Sequence, residues 1–147
     1  METNISCQLV EFGSPQQLES IALRLKILRL PLGLDFDEKD LAAEFEQFHF
    51  AALAASQVIG VLILTNYEAH KVKMRQLAID ENWQGKGVGK KLVKFSETWA
   101  LQNDQSQITL HARLNAVSFY KSMNYVTSGE IFLEVGIPHI KMQKKLI

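Results

Sequence analysis

The sequence predicts an α/β fold of the α+β kind: a mixed central sheet of about six to seven strands with helices on both faces. Three observations carry it. Short apolar runs of strand length alternate with helical stripes along the chain. Two of those runs, 47–54 and 58–64, stand one tight turn apart and read as a hairpin. The stretch 71–112 then reads strand, helix, strand, the pattern of a crossover in a mixed sheet.

Taken in order, Ile5 to Phe12 reads as a short strand. Ser14 and Pro15 open a helix: serine is a good N-cap, proline fits the first helical position, and Gln17 completes a capping box. Leu18, Ile21, Ala22, Leu25 and Leu28 recur at helical spacing as its apolar stripe, and Pro31 and Gly33 stop it. A second short helix is expected from Asp37 through Phe45. Gln47–Ala54 and Val58–Leu64 are strands turned near Ser56 and Gln57, and Lys71–Ile79 is a third. A turn with Asp80 and Asn82 leads through a glycine-rich segment into a helix with Val88, Leu92, Phe95 and Trp99 on one face. Ile108–Ala112 is a strand and Asn115–Met123 a short helix. Strands Val126–Val135 and Ile140–Leu146, split by Gly136 and Pro138, complete the order. With no repeat and no linker, residues 1–147 read as one domain.

Composition narrows the function classes. At 47% hydrophobic and 22% charged, the chain has a globular balance. Sixteen basic residues match sixteen acidic ones, which argues against a general nucleic-acid binder. The one cysteine, Cys7, excludes an internal disulfide and a multi-cysteine metal site. No apolar run reaches the ~18 residues of a membrane span. The opening METNIS lacks the basic start and apolar run of a signal peptide, so a cytoplasmic protein is expected.

The segment Gln84-Gly85-Lys86-Gly87-Val88-Gly89-Lys90 follows a strand and opens a helix. Glycines there let the backbone approach a ligand, and the free N–H groups of the first helical turn face an anion along the helix dipole. The segment is built to hold a phosphate or pyrophosphate, unless it is an ordinary glycine-rich helix entry. A Walker loop would need a glycine where Gln84 stands and a serine or threonine where Lys91 stands. A dinucleotide fingerprint would need G-x-G-x-x-G, and the spacing here is G-x-G-x-G.

The run Arg75-Gln76-Leu77-Ala78-Ile79-Asp80, with Trp83 and QGKGVGKKL, closely resembles the acyl-CoA-binding signature of the GNAT superfamily of N-acyltransferases. Ala116 through Tyr125 resembles the same family's A-x-x-F-Y-x-x-x-G-F helix, and the element order matches along nearly the whole chain. The resemblance implies a sheet that splays at a bulged acyl-CoA-binding strand. It implies acetyl-CoA as co-substrate and an amine as acceptor; no metal, nucleic-acid or membrane partner is expected, and a homodimer stays open. It also implies that the backbones of Leu77, Ala78 and Ile79 pair with the pantetheine arm, much as an added strand would. The N–H groups of Gly85, Lys86, Gly87, Val88, Gly89 and Lys90 would hold the pyrophosphate.

Tyr120 stands where many relatives carry a tyrosine that protonates the departing thiolate; the alternative is a packed aromatic. His111 is the best-placed titratable group for a base, against a structural histidine. Lys73 and Arg75 alternate onto one strand face and are candidates for an acceptor's anionic group, for pairing with carboxylates such as Glu68 or Glu134, or for reaching solvent at the sheet edge. Arg29, in Leu28–Gly33, and His139, in E-x-G-I-P-H-I-x-M, lie in segments that resemble a subset of the family and are acceptor-side candidates. Two departures stand out. Arg113 replaces the asparagine that many relatives use on CoA, with Asn115 two residues later, and Asn124-Tyr125 replaces Gly-Phe. Asparagine tolerates the left-handed backbone that the glycine would adopt. The competing function is a non-catalytic acyl-CoA-binding sensor or interaction domain. Cys7, with no base nearby in sequence, gives little reason for a covalent acyl-enzyme.

Overall fold

The computed structural model describes residues 4–36 and 38–147. Its elements are β1 (Ile5–Val10), α1 (Pro15–Arg24), α2 (Glu38–Ala42), β2 (Phe48–Ala54), β3 (Gln57–Glu68), β4 (Lys71–Ile79), α3 (Val88–Gln102), β5 (Gln107–Arg113), α4 (Val117–Ser122), β6 (Val126–Glu134) and β7 (Ile137–Lys145). The seven strands form one mixed sheet in the order β1-β2-β3-β4-β5-β7-β6. β4 and β5 run parallel across the α3 crossover, while β1–β2, β2–β3, β5–β7 and β6–β7 are antiparallel. Asp37, the expected start of the second helix, and the first three residues of METNIS lie outside the described residues. The chain gathers into two compact units: Met1–Thr65 with Gln76–Ser96, and Asn66–Arg75 with Glu97–Ile147.

In the first unit, strand alternation sorts β2 between two helices. Ala51 and Leu53 join Val10, Val58, Val61 and Ala78 in an apolar cluster with Leu23 of α1. Phe50 points to the other face and meets Phe95 of α3 edge-on, with ring centroids 6.0 Å apart. Helices therefore cover both faces of this part of the sheet, as period-two side-chain placement requires.

α1 starts where the sequence places it. The Ser14 hydroxyl accepts from the Gln17 amide, and the Gln17 side chain accepts from the Gly13 amide, one residue before the usual capping-box partner. Its buried face differs from the expected stripe. Gln17, Ser20, Leu23 and Arg24 are buried, whereas Leu18 is 57% exposed. Two causes act together. Two of the polar members are satisfied inside: Ser20 donates to the Gln17 carbonyl, and Arg24 forms a two-pronged salt bridge with Glu44 at 2.8 and 2.7 Å. The helix then widens into a π-helical turn, Leu25–Arg29, which shifts the inward positions to Ile27 and Leu28. A short 3₁₀ turn, Leu30–Leu32, ends at Gly33.

Three strand boundaries also move. The β2–β3 turn falls on Ala55 and Ser56, both with positive φ, and β3 runs on to Glu68. β7 begins at Ile137, because Val135 and Gly136 alone make the turn and Pro138 already pairs with Leu133. In the second unit, Asn124 takes φ +71 after α4, as the sequence suggested. Tyr125 is then buried, and its hydroxyl donates to Glu97 at 2.9 Å. Lys144 donates to the other Glu97 oxygen at 2.9 Å.

The Arg24–Glu44 pair is almost wholly excluded from water, at 1% and 4% exposure. Glu44→Ala strands a buried guanidinium and is expected to cost about 3–5 kcal/mol of unfolding free energy. Arg24→Met with Glu44→Leu removes both charges and is expected to recover most of that loss. Urea denaturation of the three chains checks both values.

Candidate active site

The glycine turn is fixed at both ends. The β2–β3 register slips between Ala52↔Gly60 and Leu53↔Val58, so Ile59 is passed over, and its carbonyl accepts from the Asp80 amide at 2.8 Å. Gly60 lies under both ends of the turn. A Cβ there would stand 2.9 Å from Ile79 Cδ1 and 3.2 Å from Val88 Cγ1. Asp80 caps a 3₁₀ turn, Glu81–Trp83, by accepting from the Asn82 amide, and the Gln84 side chain donates back to the Ile79 carbonyl at 3.0 Å.

Gly85 and Gly87 then adopt φ of +75° and +82°, a conformation that other side chains rarely take, and each faces open space. The first intrahelical bond of α3 runs from Lys91 N–H to the Gly87 carbonyl. The amides of Val88, Gly89 and Lys90 precede it and have no intrahelical acceptor. Lys86 sits 5.4 Å over the Trp83 ring and is exposed.

β4 itself is irregular. Gln76 takes φ +59° in mid-strand, and its side chain accepts from Arg24 Nε at 3.5 Å. A non-glycine residue in the left-handed region is a local strain of the kind that marks functional backbone. The register with β5 covers Lys71–Met74 and ends there, though β4 continues to Ile79. Ala78 is buried in the core cluster, with Leu77 and Ile79 partly buried beside it. Arg29 closes the π-helical turn with its guanidinium 4.7 Å over Phe36, whose ring also carries Arg24 at 4.8 Å. Glu44 neutralises Arg24; among the described residues Arg29 has no carboxylate partner.

The second unit holds the titratable groups. His111 on β5 bonds through Nδ1 to Glu134 Oε1 at 2.9 Å. His139 on β7 is 4% exposed, bonds through Nδ1 to the Ile137 carbonyl at 2.7 Å, and has Nε2 3.6 Å from Glu134 Oε2. The Phe132 ring contacts both imidazoles. Burial alone would push the Glu134 carboxyl up. The hydrogen bond and charge of His111, then the charges of His139 and Lys73, outweigh it and hold Glu134 below the usual carboxylate range. Lys73 is half-buried; burial lowers its ammonium pKa, against the pull of Glu134 and with the push of Arg75.

Tyr120 is buried on α4 between Phe119 and Tyr125, and burial raises its phenol well above its ordinary value. Arg113 ends β5 opposite His139, and Asn115 is exposed in the 3₁₀ turn Leu114–Ala116. Burial also raises the Cys7 thiol, against the nearby charge of Lys91.

The first unit thus brings together Leu77–Ile79 and Gly85–Lys90. The second clusters Lys73, His111 and His139. Glu134, at the centre of that cluster, is the residue that sequence reasoning left without a site role. Its signal was the E-x-G-I-P-H segment, but its partnership with His111 depends on the β5–β7–β6 register. Among the described residues, no group of three or more His, Cys, Asp or Glu is placed to hold a metal ion, and no helix is long and apolar enough to cross a membrane.

Residues 35–146 match the family model described as an acetyltransferase (GNAT) domain. A Bacillus subtilis protein assigned as an acetyltransferase is 29% identical over 115 residues, 78% of this chain and 77% of that protein. Among solved structures, a Lactobacillus plantarum protein assigned as an N-acetyltransferase superposes with a TM-score of 0.83 at 24% identity, covering 97% of this chain and 99% of that one. A GNAT family acetyltransferase from Elizabethkingia anophelis, solved with acetyl-CoA bound, gives 0.75 at 15% identity, covering 98% and 99%. The structural likenesses carry the fold; the family model carries membership. The chain belongs to the GNAT acetyltransferase family and is an acyltransferase.

The Glu134 cluster has a pH signature. A carboxylate whose folded pKa is depressed contributes stability that is fully present above its unfolded value, roughly pH 4.3, and is lost as pH falls through the folded value. Glu134→Gln removes that contribution. Parent and variant are expected to differ in urea midpoint at neutral pH and to converge as the solution is acidified below the usual carboxylate range. A gap that stays constant to acid would show that Glu134 is not held ionised by its neighbours.

Proposed function

We propose that the protein is an N-acetyltransferase that passes the acetyl group of acetyl-CoA to an amine by direct attack in a ternary complex. The observation that carries this is the strand-to-helix turn at Gly85–Lys90, with two left-handed glycines and open space on its outer side. Backbone amides so arranged suit a pyrophosphate without any side-chain charge. Family membership and a neighbour named with acetyl-CoA bound support the same ligand. The backbones of Leu77, Ala78 and Ile79, beyond the end of the β4–β5 register, suit the amides of the pantetheine arm. Both units would serve one acyl-transfer domain, working in the cytoplasm.

Transfer needs a neutral amine and a protonated leaving sulfur. We assign His111 as the base that takes the proton from the attacking amine. As the N–C bond forms and the C–S bond breaks, Tyr120 gives its phenolic proton to the sulfur. Burial raises its pKa, so the phenol is fully protonated at neutral pH and has a proton to give as the sulfur departs. The raised thiol of Cys7 counts against a covalent route. On the acceptor side, Arg29 is the candidate contact for a carboxylate or phosphate on the amine, because its charge is not neutralised within the described protein. Lys73 has its counter-charge in Glu134.

Gly87→Glu adds a side chain and a negative charge where the phosphates approach. Titration calorimetry is expected to show acetyl-CoA binding weakened at least tenfold, with the circular dichroism spectrum kept. Unchanged affinity in a folded variant would put the ligand elsewhere. Tyr120→Phe removes the hydroxyl and little packing, so kcat should fall by roughly 10²–10⁴-fold with acetyl-CoA affinity unchanged. Unaltered kcat, where chemistry limits the rate, would leave Tyr120 as a packed aromatic.

A further inference from the structure

We infer that Glu134 is a positioning residue for the transfer reaction: it fixes His111 as the Nδ1–H tautomer and leaves Nε2 as the lone-pair nitrogen that receives the amine's proton. The inference rests on the N-acetyltransferase reading and adds to it a residue that family membership does not assign.

The geometry decides the tautomer. An ionised carboxylate can only accept hydrogen bonds, so the 2.9 Å contact requires the proton on His111 Nδ1. In the neutral ring, Nε2 then carries the lone pair. Free histidine favours the opposite tautomer, so the carboxylate imposes a choice on the ring. The second oxygen of Glu134 lies 3.6 Å from His139 Nε2, and His139 is fixed by donating its Nδ1–H to the Ile137 carbonyl. Phe132 stands edge-on to His111, with centroids 4.9 Å apart, and stacks on His139 at an interplanar angle of 27°.

The surrounding charges keep the carboxylate available. Lys73 of β4 acts on it, with Arg75 beside Lys73. Lys141 of β7 is the cross-strand partner of His111, and β7 lies between the strands that carry His111 and Glu134. Stability alone does not account for the contact: the side chains of His111 and Glu134 are 30% and 44% exposed, and an ion pair that wet contributes little to folding. Partial exposure is what a base needs if its second nitrogen is to exchange protons with a bound amine.

Two readouts test this. In ¹⁵N-resolved NMR of the parent, His111 is expected to show a protonated Nδ1 and an unprotonated Nε2. Glu134→Ala should release the ring toward the Nε2–H tautomer, and Glu134→Gln should largely keep the parent pattern through its carboxamide oxygen. In turnover with an amine found by screening, Glu134→Ala should lower kcat/KM for the amine by about 10- to 100-fold, less than the ~10²–10⁴-fold of the positioned base itself, since only its tautomer and aim are lost. Glu134→Gln should restore much of it, and acetyl-CoA affinity should stay constant. Glu134→Ala should add little further loss to His111→Ala, as residues acting as a unit behave. An Nε2–H tautomer in the parent, full activity in Glu134→Ala, or additive losses would overturn the inference alone. A parent that binds acetyl-CoA but acetylates no amine overturns both it and the N-acetyltransferase reading.

Discussion

The approach of β4 and α3 to β3 at Gly60 governs the glycine turn. Any side chain at that position would push against Ile79 on one side of the turn and Val88 on the other. With no Cβ in the way, both ends settle onto the sheet, and the Asp80–Ile59 hydrogen bond fixes their height. The buried face of α3 then follows, through Val88, Leu92, Val93 and the Phe95–Phe50 contact. The residues between the two anchors are left outside the packing. That is why Gly85 and Gly87 face open space while their neighbours at 79 and 88 are held in contact.

The two units use electrostatics in different ways. In the first, the glycine turn presents backbone amides and a helix dipole, which do not titrate and need no counter-ion. Its buried charges, Arg24 and Glu44, neutralise each other and serve the packing of α1. In the second unit the charges do titrate. A carboxylate, two imidazoles and the Lys73 ammonium share one sheet face, and each shifts or orients another. Preorganised dipoles suit the holding of a ligand whose charge is constant; a coupled acid–base cluster suits a proton that has to move.

Much of this was legible in the sequence. The glycine spacing, the strand before it and the apolar face of α3 are local features; β4 lies at its predicted bounds, and α3 buries Val88 and Leu92 of its expected face. The capping serine and Pro15 fixed the start of α1 for the same reason. The buried face of α1 was not legible. Arg24 is inside only because Glu44, twenty residues on, meets it, and the π-helical turn breaks the spacing on which the stripe depended. The Glu134–His111 contact was hidden likewise. The two residues are 23 positions apart and meet over an intervening strand, so only the register reveals them. Local rules place elements; partners across a sheet belong to topology.

The hairpin that presents Glu134 turns through Val135 at φ +46°, next to Gly136. A β-branched residue is poorly suited to that conformation, at a penalty of roughly 1–2 kcal/mol. With Val135 56% exposed, burial returns little of it. The turn is therefore a place where thermal tolerance can be engineered without touching the core. Asparagine or glycine at position 135 would relieve the strain, and for a chain of this size that is a few degrees of melting temperature. An enzyme intended for heat or storage has an adjustable joint beside its acid–base cluster, and the same exchange would reveal how firmly that joint must be set for Glu134 to keep its aim.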